Sequence, residues 1–145
     1  MAFLSSLNIG GSALSAHKTK MNIIAQNIAN ANTTRTEGGG AYRRKIATLA
    51  EDNINEFGTV LEDEQERYRV SGVMVAGIVE DPAPLKPVYN PSHPDADENG
   101  YVMLPNVDTV AEMVDMIATS RSYEANVTAF NSLKLMASNA LNIGK

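Results

Sequence analysis

Apolar positions recur with two different periods along this chain, and the change of period divides it into three parts. Over residues 4–32, Leu7, Leu14, Met21 and Ile28 return every seven residues, with His17, Ile24 and Ala31 between them. That spacing predicts a single helix with an a/d stripe. Ile23, Gln26 and Asn30 fall across the wheel from the stripe, where a helix facing bulk water would carry charges. Gly10 and Gly11 each weaken the early turns by roughly 1 kcal/mol against alanine, so a break or a late start is expected there. Asn32, Thr33 and Thr34 favour caps and turns and should end the helix.

A second helix is expected over about 107–143, a span of roughly 55 Å at ~1.5 Å per residue. Asn106 or Asp108 can cap it, and Glu112 is placed early to complement the helix dipole. Met113, Met116, Ser120, Tyr123, Val127, Phe130, Ala137 and Leu141 form one stripe. Ala111, Ala118, Ala125, Ala129, Met136, Ala140 and Ile143 form another, with small side chains that permit close backbone approach. Two adhesive faces require at least two neighbours, and the first helix can supply only one.

Between the arms the period shortens. YRRKIATL (42–49) and YRVSGVMVAGIVE (68–80) are rich in β-branched and aromatic residues, and LKPVYN (85–90) and YVML (101–104) are shorter strand candidates. Pro82, Pro84, Pro87, Pro91, Pro94 and Pro105 keep such strands short or at an edge. EDNINEFGTVLEDEQER (51–67) reads as a flexible acidic loop. The expected fold is mainly α with a small inserted β module. Its parts are an N-terminal arm (1–36), a β-rich middle (37–104) and a C-terminal arm (105–145), the two arms pairing as a coiled coil.

Charge sharpens this division. The chain has 145 residues and a net charge of −5, so it is one domain with or without extended arms and is no nucleic-acid coat. All 17 acids lie between Glu37 and Glu124. Residues 1–36 carry only Lys18, Lys20 and Arg35, and residues 125–145 only Lys134 and Lys145. A monomer in water has little reason to sort its charges this way, whereas a chain whose two ends enter a shared interior does. There is no cysteine, which excludes disulfides, thiolate metal sites and a cysteine nucleophile. The first twenty residues lack a basic n-region and read poorly as a cleaved secretory signal. No apolar run approaches the ~20 residues that span a bilayer.

Candidate chemistry is sparse. DADENG (95–100) matches the first half of a calcium loop, but the terminal Glu would fall at position 106, which is Asn. It reads as an acidic turn. His17 reads as a satisfied packing residue on its helix stripe, and His93 as structural within a proline-rich loop. GGG (38–40) lacks the lysine and strand of a phosphate loop and reads as a hinge. RRK (43–45) could meet an acidic partner, with a solvated strand edge as the plainer reading. No nucleophile, base and orienting group fall together, so no active site, metal or cofactor is expected.

NIIAQNIANANTTRTEGGGAYRRK (22–45) resembles the signature of flagellar basal-body rod and hook proteins, and so do HPDADENGYVMLPNV (93–107) and the helix after it (112–144). The short middle favours the proximal-rod members, since hook and distal-rod proteins carry larger inserts. The resemblance implies a structural subunit of a helical, tubular drive shaft, whose terminal helices line the tube while the β module faces outward. It also implies export by the flagellar type III apparatus without a cleaved signal peptide, in the bacterial periplasm. The implied partners are copies of itself, other rod proteins and the export apparatus, with no nucleic acid and no small-molecule substrate. Contacts are expected at Leu7, Leu14, Met21, Ile24, Asn27, Ile28 and Asn30 on the first arm. On the second they are expected at Met113, Ile117, Tyr123, Val127, Phe130, Met136 and Leu141. Amides on the first arm would satisfy one another across subunits. The alternative is a soluble helical adaptor or export chaperone of the same system, which should carry charged outer faces throughout.

Overall fold

The first arm forms a single helix, α1 (Ala2–Ala29), in the computed structural model, which describes residues 2–52 and 71–143. The second arm forms α2 (Thr109–Ile143). Between them β1 (Lys45–Asp52) pairs antiparallel with β2 (Gly72–Glu80), and β3 (Lys86–Tyr89) pairs antiparallel with β4 (Tyr101–Leu104). The expected mixture of two long helices and a small β module is what forms.

α1 is not broken at its glycines. A Cβ on Gly10 would lie 3.2 Å from the Phe130 ring. Its bare backbone is therefore what lets α2 approach, and that packing offsets the low helix propensity. Gly10 beside Phe130 and Asn27 beside Glu112 show that the two helices run antiparallel. Covered positions on α2 include Glu112, Met116, Thr119, Tyr123, Asn126, Phe130, Leu133 and Ala137, alternately four and three residues apart. One straight stripe of α2 thus lies on α1.

The β1–β2 hairpin covers another side of α1. Among the described residues, neither strand contacts α2, so α1 lies between the hairpin and α2. Lys45 sits beside Asn27, and Val73, opposite the end of β1, sits beside Ser12. From Lys45 to Glu51, opposite Val73, six strand steps of ~3.3 Å give about 20 Å, and fifteen helix steps of ~1.5 Å give about 23 Å, so hairpin and helix are similar in length. Ser12 Oγ donates to Ile9 O and accepts from Val73 N–H at 3.1 Å, and a Cβ on Gly72 would lie 2.6 Å from that oxygen. Glycine at 72 is what permits this approach. A bulge between Thr48 and Leu49 skips Ala76.

Covered on two sides, α1 keeps one exposed strip that includes Asn8, Ser15, Lys18, Asn22 and Gln26, of which only Lys18 is charged. Ile23, expected across the wheel, is buried together with Ile24 and Ala16. Tyr42, Val102 and Val107 complete the apolar core of the described residues.

The connections also differ from expectation in places. β1 runs through Glu51 and Asp52, so the first two residues of the expected acidic loop belong to a strand. The remainder of that loop, and positions 68–70 of the second expected strand, lie outside the described residues. GGG is a hydrogen-bonded turn rather than a hinge. Thr36 N–H donates to Gly40 O at 2.9 Å, and Gly39 and Gly40 take φ of 80° and 81°, a region glycine enters without strain. Tyr42 N–H then donates to Thr33 O, which folds the chain back along α1. DADENG is a turn: Asp97 Oδ1 accepts from Asn99 N–H and Tyr101 N–H, and His93 Nδ1 accepts from Asp95 N–H. It is tied to the end of α1 where Thr34 Oγ1 donates to Asp95 Oδ2 at 2.8 Å.

Candidate functional site

The site has two parts, a buried polar joint that orients α2 and an outward face of α2 that the joint presents. The joint gathers where α1 ends, β1 begins and α2 begins. Asn27 is 1% exposed, and its amide is fully used. Nδ2 donates to Lys45 O at 2.9 Å and to Glu112 Oε2 at 3.0 Å, while Oδ1 accepts from the Tyr42 hydroxyl and Lys45 N–H, both at 2.9 Å. One side chain of α1 therefore holds β1 and α2 at once.

Glu112 is 1% exposed and lies inside the joint rather than merely facing the helix dipole. Its Oε1 accepts from Arg44 Nε at 2.6 Å. Arg44 also reaches Asp81 at 3.5 Å and Asp115 at 3.8 Å, so it is no solvated strand-edge cation. A charge-assisted bond of this kind is about twice as strong as a neutral one. Its bond to Glu112 holds the Arg44 guanidinium more firmly protonated than usual, although partial burial works the other way. Burial raises the Tyr42 phenol above its ordinary range, with the negative charges of Glu112 and Glu80 adding to the effect. Asn106 clamps the same end: its Oδ1 accepts from Arg44 N–H at 2.8 Å, and its Nδ2 donates to Asp81 O and Ala83 O. Asp108 is left to cap α2, accepting from Val110 N–H and Ala111 N–H.

With that orientation set, α2 turns a largely apolar face outward at both ends. Val110, Met113, Val114 and Ile117 are 70, 53, 60 and 57% exposed, and Leu135 and Met136 are each 63% exposed. Arg121, Glu124, Thr128 and Asn131 separate the two patches. A run of exposed large apolar side chains marks an interaction surface.

The residues expected at contacts divide between these places. Met113, Ile117 and Met136 are on the outward face, whereas Leu141, four residues after Ala137, continues the inward stripe and is exposed near the end of α2. Tyr123, Val127 and Phe130 are half-buried on α2, and Leu7, Leu14, Met21 and Ile28 are half-buried on α1. Ile24 and Asn27 are buried within the chain. Asn30 stays at the helix end, donating to Gln26 O and accepting from Thr33 Oγ1. Val110, Val114 and Leu135 were not anticipated on the outward face, and Tyr42, Arg44, Asn106 and Glu112 were not anticipated in the joint. The available signal for Glu112 was its place four residues before Met116 on the inward stripe. His17 does not read as a satisfied residue, since its Nδ1 is buried without a hydrogen-bond partner. Among the described residues no cluster could hold a metal ion, and no helix is long and apolar enough to cross a membrane.

Two family models match the arms. "Flagella basal body rod protein" matches residues 7–35, and "Flagellar basal body rod FlgEFG protein C-terminal" matches residues 98–143. A protein of Borreliella burgdorferi described as flagellar basal-body rod protein FlgC is 44% identical, over 99% of this chain and 98% of that protein. This chain belongs to the flagellar basal-body rod protein family. Proteins of the same description from Bacillus subtilis and Salmonella typhimurium are 41% and 40% identical over the whole of both chains. As a rod protein the chain is a structural subunit of the flagellar basal body that assembles with other rod proteins. The matched segments include every residue of the outward α2 face and one side of the joint, Asn27 and Glu112; its Arg44 and Tyr42 lie between them.

Proposed function

We propose that the chain is a proximal-rod subunit that assembles through α1 and α2 into a helical, tubular drive shaft. The observation that carries this reading is the outward face of α2. A helix already packed on α1 along one stripe presents large apolar side chains on another, at both of its ends. Left in water these would cost on the order of 25 cal/mol per Å² of exposed apolar surface, and a neighbouring subunit removes that cost. In this reading the arms, 1–36 and 105–145, pair as a coiled coil to form the inner helical domain, in keeping with the four-and-three spacing on α2. The middle, 37–104, faces outward. The subunit is exported by the flagellum's own type III apparatus without a cleaved signal peptide and works in the periplasm. It performs no catalysis and binds no nucleic acid.

Deletion of residues 130–145 tests the proposal. It removes the distal apolar patch but leaves the joint and the start of the chain in place. The expected product is secreted, soluble and absent from the rod, scored by immunoblot of the export fraction and of purified basal bodies. A truncated subunit that enters the rod and supports motility overturns the proposal.

A further inference from the structure

The stripe by which α2 lies on α1 leaves a problem of register. Its covered positions repeat every seven residues, from Glu112 and Thr119 to Asn126 and Leu133, and from Met116 and Tyr123 to Phe130 and Ala137. A helix patterned this way can slide by one heptad and still turn the same stripe to its partner, with Tyr123 taking the place of Met116 and Phe130 that of Tyr123. Sliding in one sense is blocked, since it would bring Pro105, buried beside the clamp at Asn106, to face Asn27. In the other sense apolar packing opposes it only in part: Ala137 and Ala140 would take the places of Phe130 and Leu133, Leu133 would take that of Asn126, and Thr119 would face Asn27.

We infer that Asn27, Glu112 and Arg44 act as a register key, positioning residues that hold α1 and α2 at a single axial setting. The key is singular. Asn27 offers two donors and one acceptor oxygen, all engaged by Glu112, Lys45 and Tyr42. Thr119 cannot replace Glu112, because it offers one hydroxyl oxygen where Glu112 uses two oxygens, one for Asn27 and one for Arg44, and it carries no charge for Arg44. A slip would bury Glu112 or strand Arg44 without its partner. A buried ion pair often adds little net stability over apolar packing, but breaking one is costly. Its contribution here is to widen the gap between one register and the next beyond what the packing of Phe130 supplies. In the rod reading, that register also decides where the two outward patches of α2 stand relative to the β module. The key itself rests on the fold alone.

The chain has no cysteine, so introduced pairs report register cleanly. Gly10→Cys/Phe130→Cys reports the observed setting, and Gly10→Cys/Ala137→Cys, with Phe130→Ala to clear the ring that a side chain at position 10 would meet, reports the slip. Each pair is placed in the full chain with the native joint and with an apolar joint, Asn27→Leu/Arg44→Met/Glu112→Leu. With the native joint, oxidation should cross-link only the first pair. With the apolar joint, helicity should persist by circular dichroism while the second cross-link rises on the order of a hundredfold. A helical apolar-joint chain that still cross-links only 10 to 130 overturns the inference. Should that chain lose its helicity, moving the acid one heptad decides instead, as Glu112→Thr/Thr119→Glu. A shift of the preferred cross-link to 10–137 supports the key, and retention of 10–130 refutes it. Neither readout involves rod incorporation, so failure here leaves the rod reading standing, and failure of that reading leaves this result intact.

Discussion

The two faces of α2 invert the usual arrangement of a soluble helix. Its inward face buries a carboxylate, Glu112, against the Asn27 amide and a hydroxyl, Thr119, bonded to Asp115 O, while its outward face shows Val110, Val114, Ile117 and Leu135 to the surroundings. A helix folded for life as a monomer would do the reverse. Burying polar groups is tolerable only when each is paired, and in the joint each is. Exposing large apolar side chains is tolerable only when something else covers them. The inward face therefore specifies one arrangement of the chain, and the outward face supplies the adhesion between chains. Specificity and stickiness are assigned to opposite sides of one helix.

The largest expected effect strikes the inward face. Arg44→Ala leaves Glu112, 1% exposed, without its cation, and should cost about 3–5 kcal/mol in urea unfolding of the full chain. Arg43→Ala, one residue away on an exposed side chain, should change stability by no more than ~0.5 kcal/mol. Equal losses for the two would dissolve the contrast on which the comparison rests.

Next is the outward face, where the energetic effect on the monomer is small and the effect on assembly is large. Ile117→Lys and Leu135→Lys replace exposed side chains and should leave unfolding within ~0.5 kcal/mol of the parent. Each places an unpaired charge in a contact that must exclude water, so secreted protein should fail to enter basal bodies. Normal swimming of both variants would show that this face meets solvent in the rod.

Legibility followed the physics of each element. Both helices, the four strand candidates and a cap at Asn106 or Asp108 were readable, because periodicity and punctuation are local signals, and the structure gives the cap to Asp108. The Gly10 break was misread because propensity is local, while the close approach of Phe130 comes from 120 residues away. Of the uncharged face of α1 that spacing suggested was covered, Ile23 is buried and Asn30 half-buried, but Gln26 is exposed. Asn27 was singled out as an amide seeking a partner. Its partners, Tyr42, Lys45 and Glu112, could not be named from spacing, since three elements converge on it from separations of 15, 18 and 85 residues. Glu112 illustrates the limit best: an early acid suits a helix dipole equally well whether it faces water or Arg44.

The smallest effect tests whether the inward face is as dry as its contacts imply. Tyr42 donates its phenol proton to Asn27 Oδ1, and burial, with Glu112 and Glu80 nearby, raises its pKa from the ordinary value of 10.0. A group that binds its proton more tightly when folded stabilises the fold fully below its unfolded pKa, and loses that contribution as pH climbs from there through the raised folded value. Stability should therefore be level through neutral pH and fall above about pH 10, as the unfolded chain releases a proton the folded chain retains. Tyr42→Phe removes both the donor and the titration. At neutral pH it should cost about 0.5–1.5 kcal/mol, with Asn27 Oδ1 still held by Lys45 N–H. The difference between parent and variant in urea unfolding should then narrow as pH rises past 10.0, since only the parent carries this phenol. A gap that stays constant or widens across that range would mean that the phenol is as well solvated in the folded chain as in the unfolded one, and the joint would have to be redrawn as open to water on the Tyr42 side.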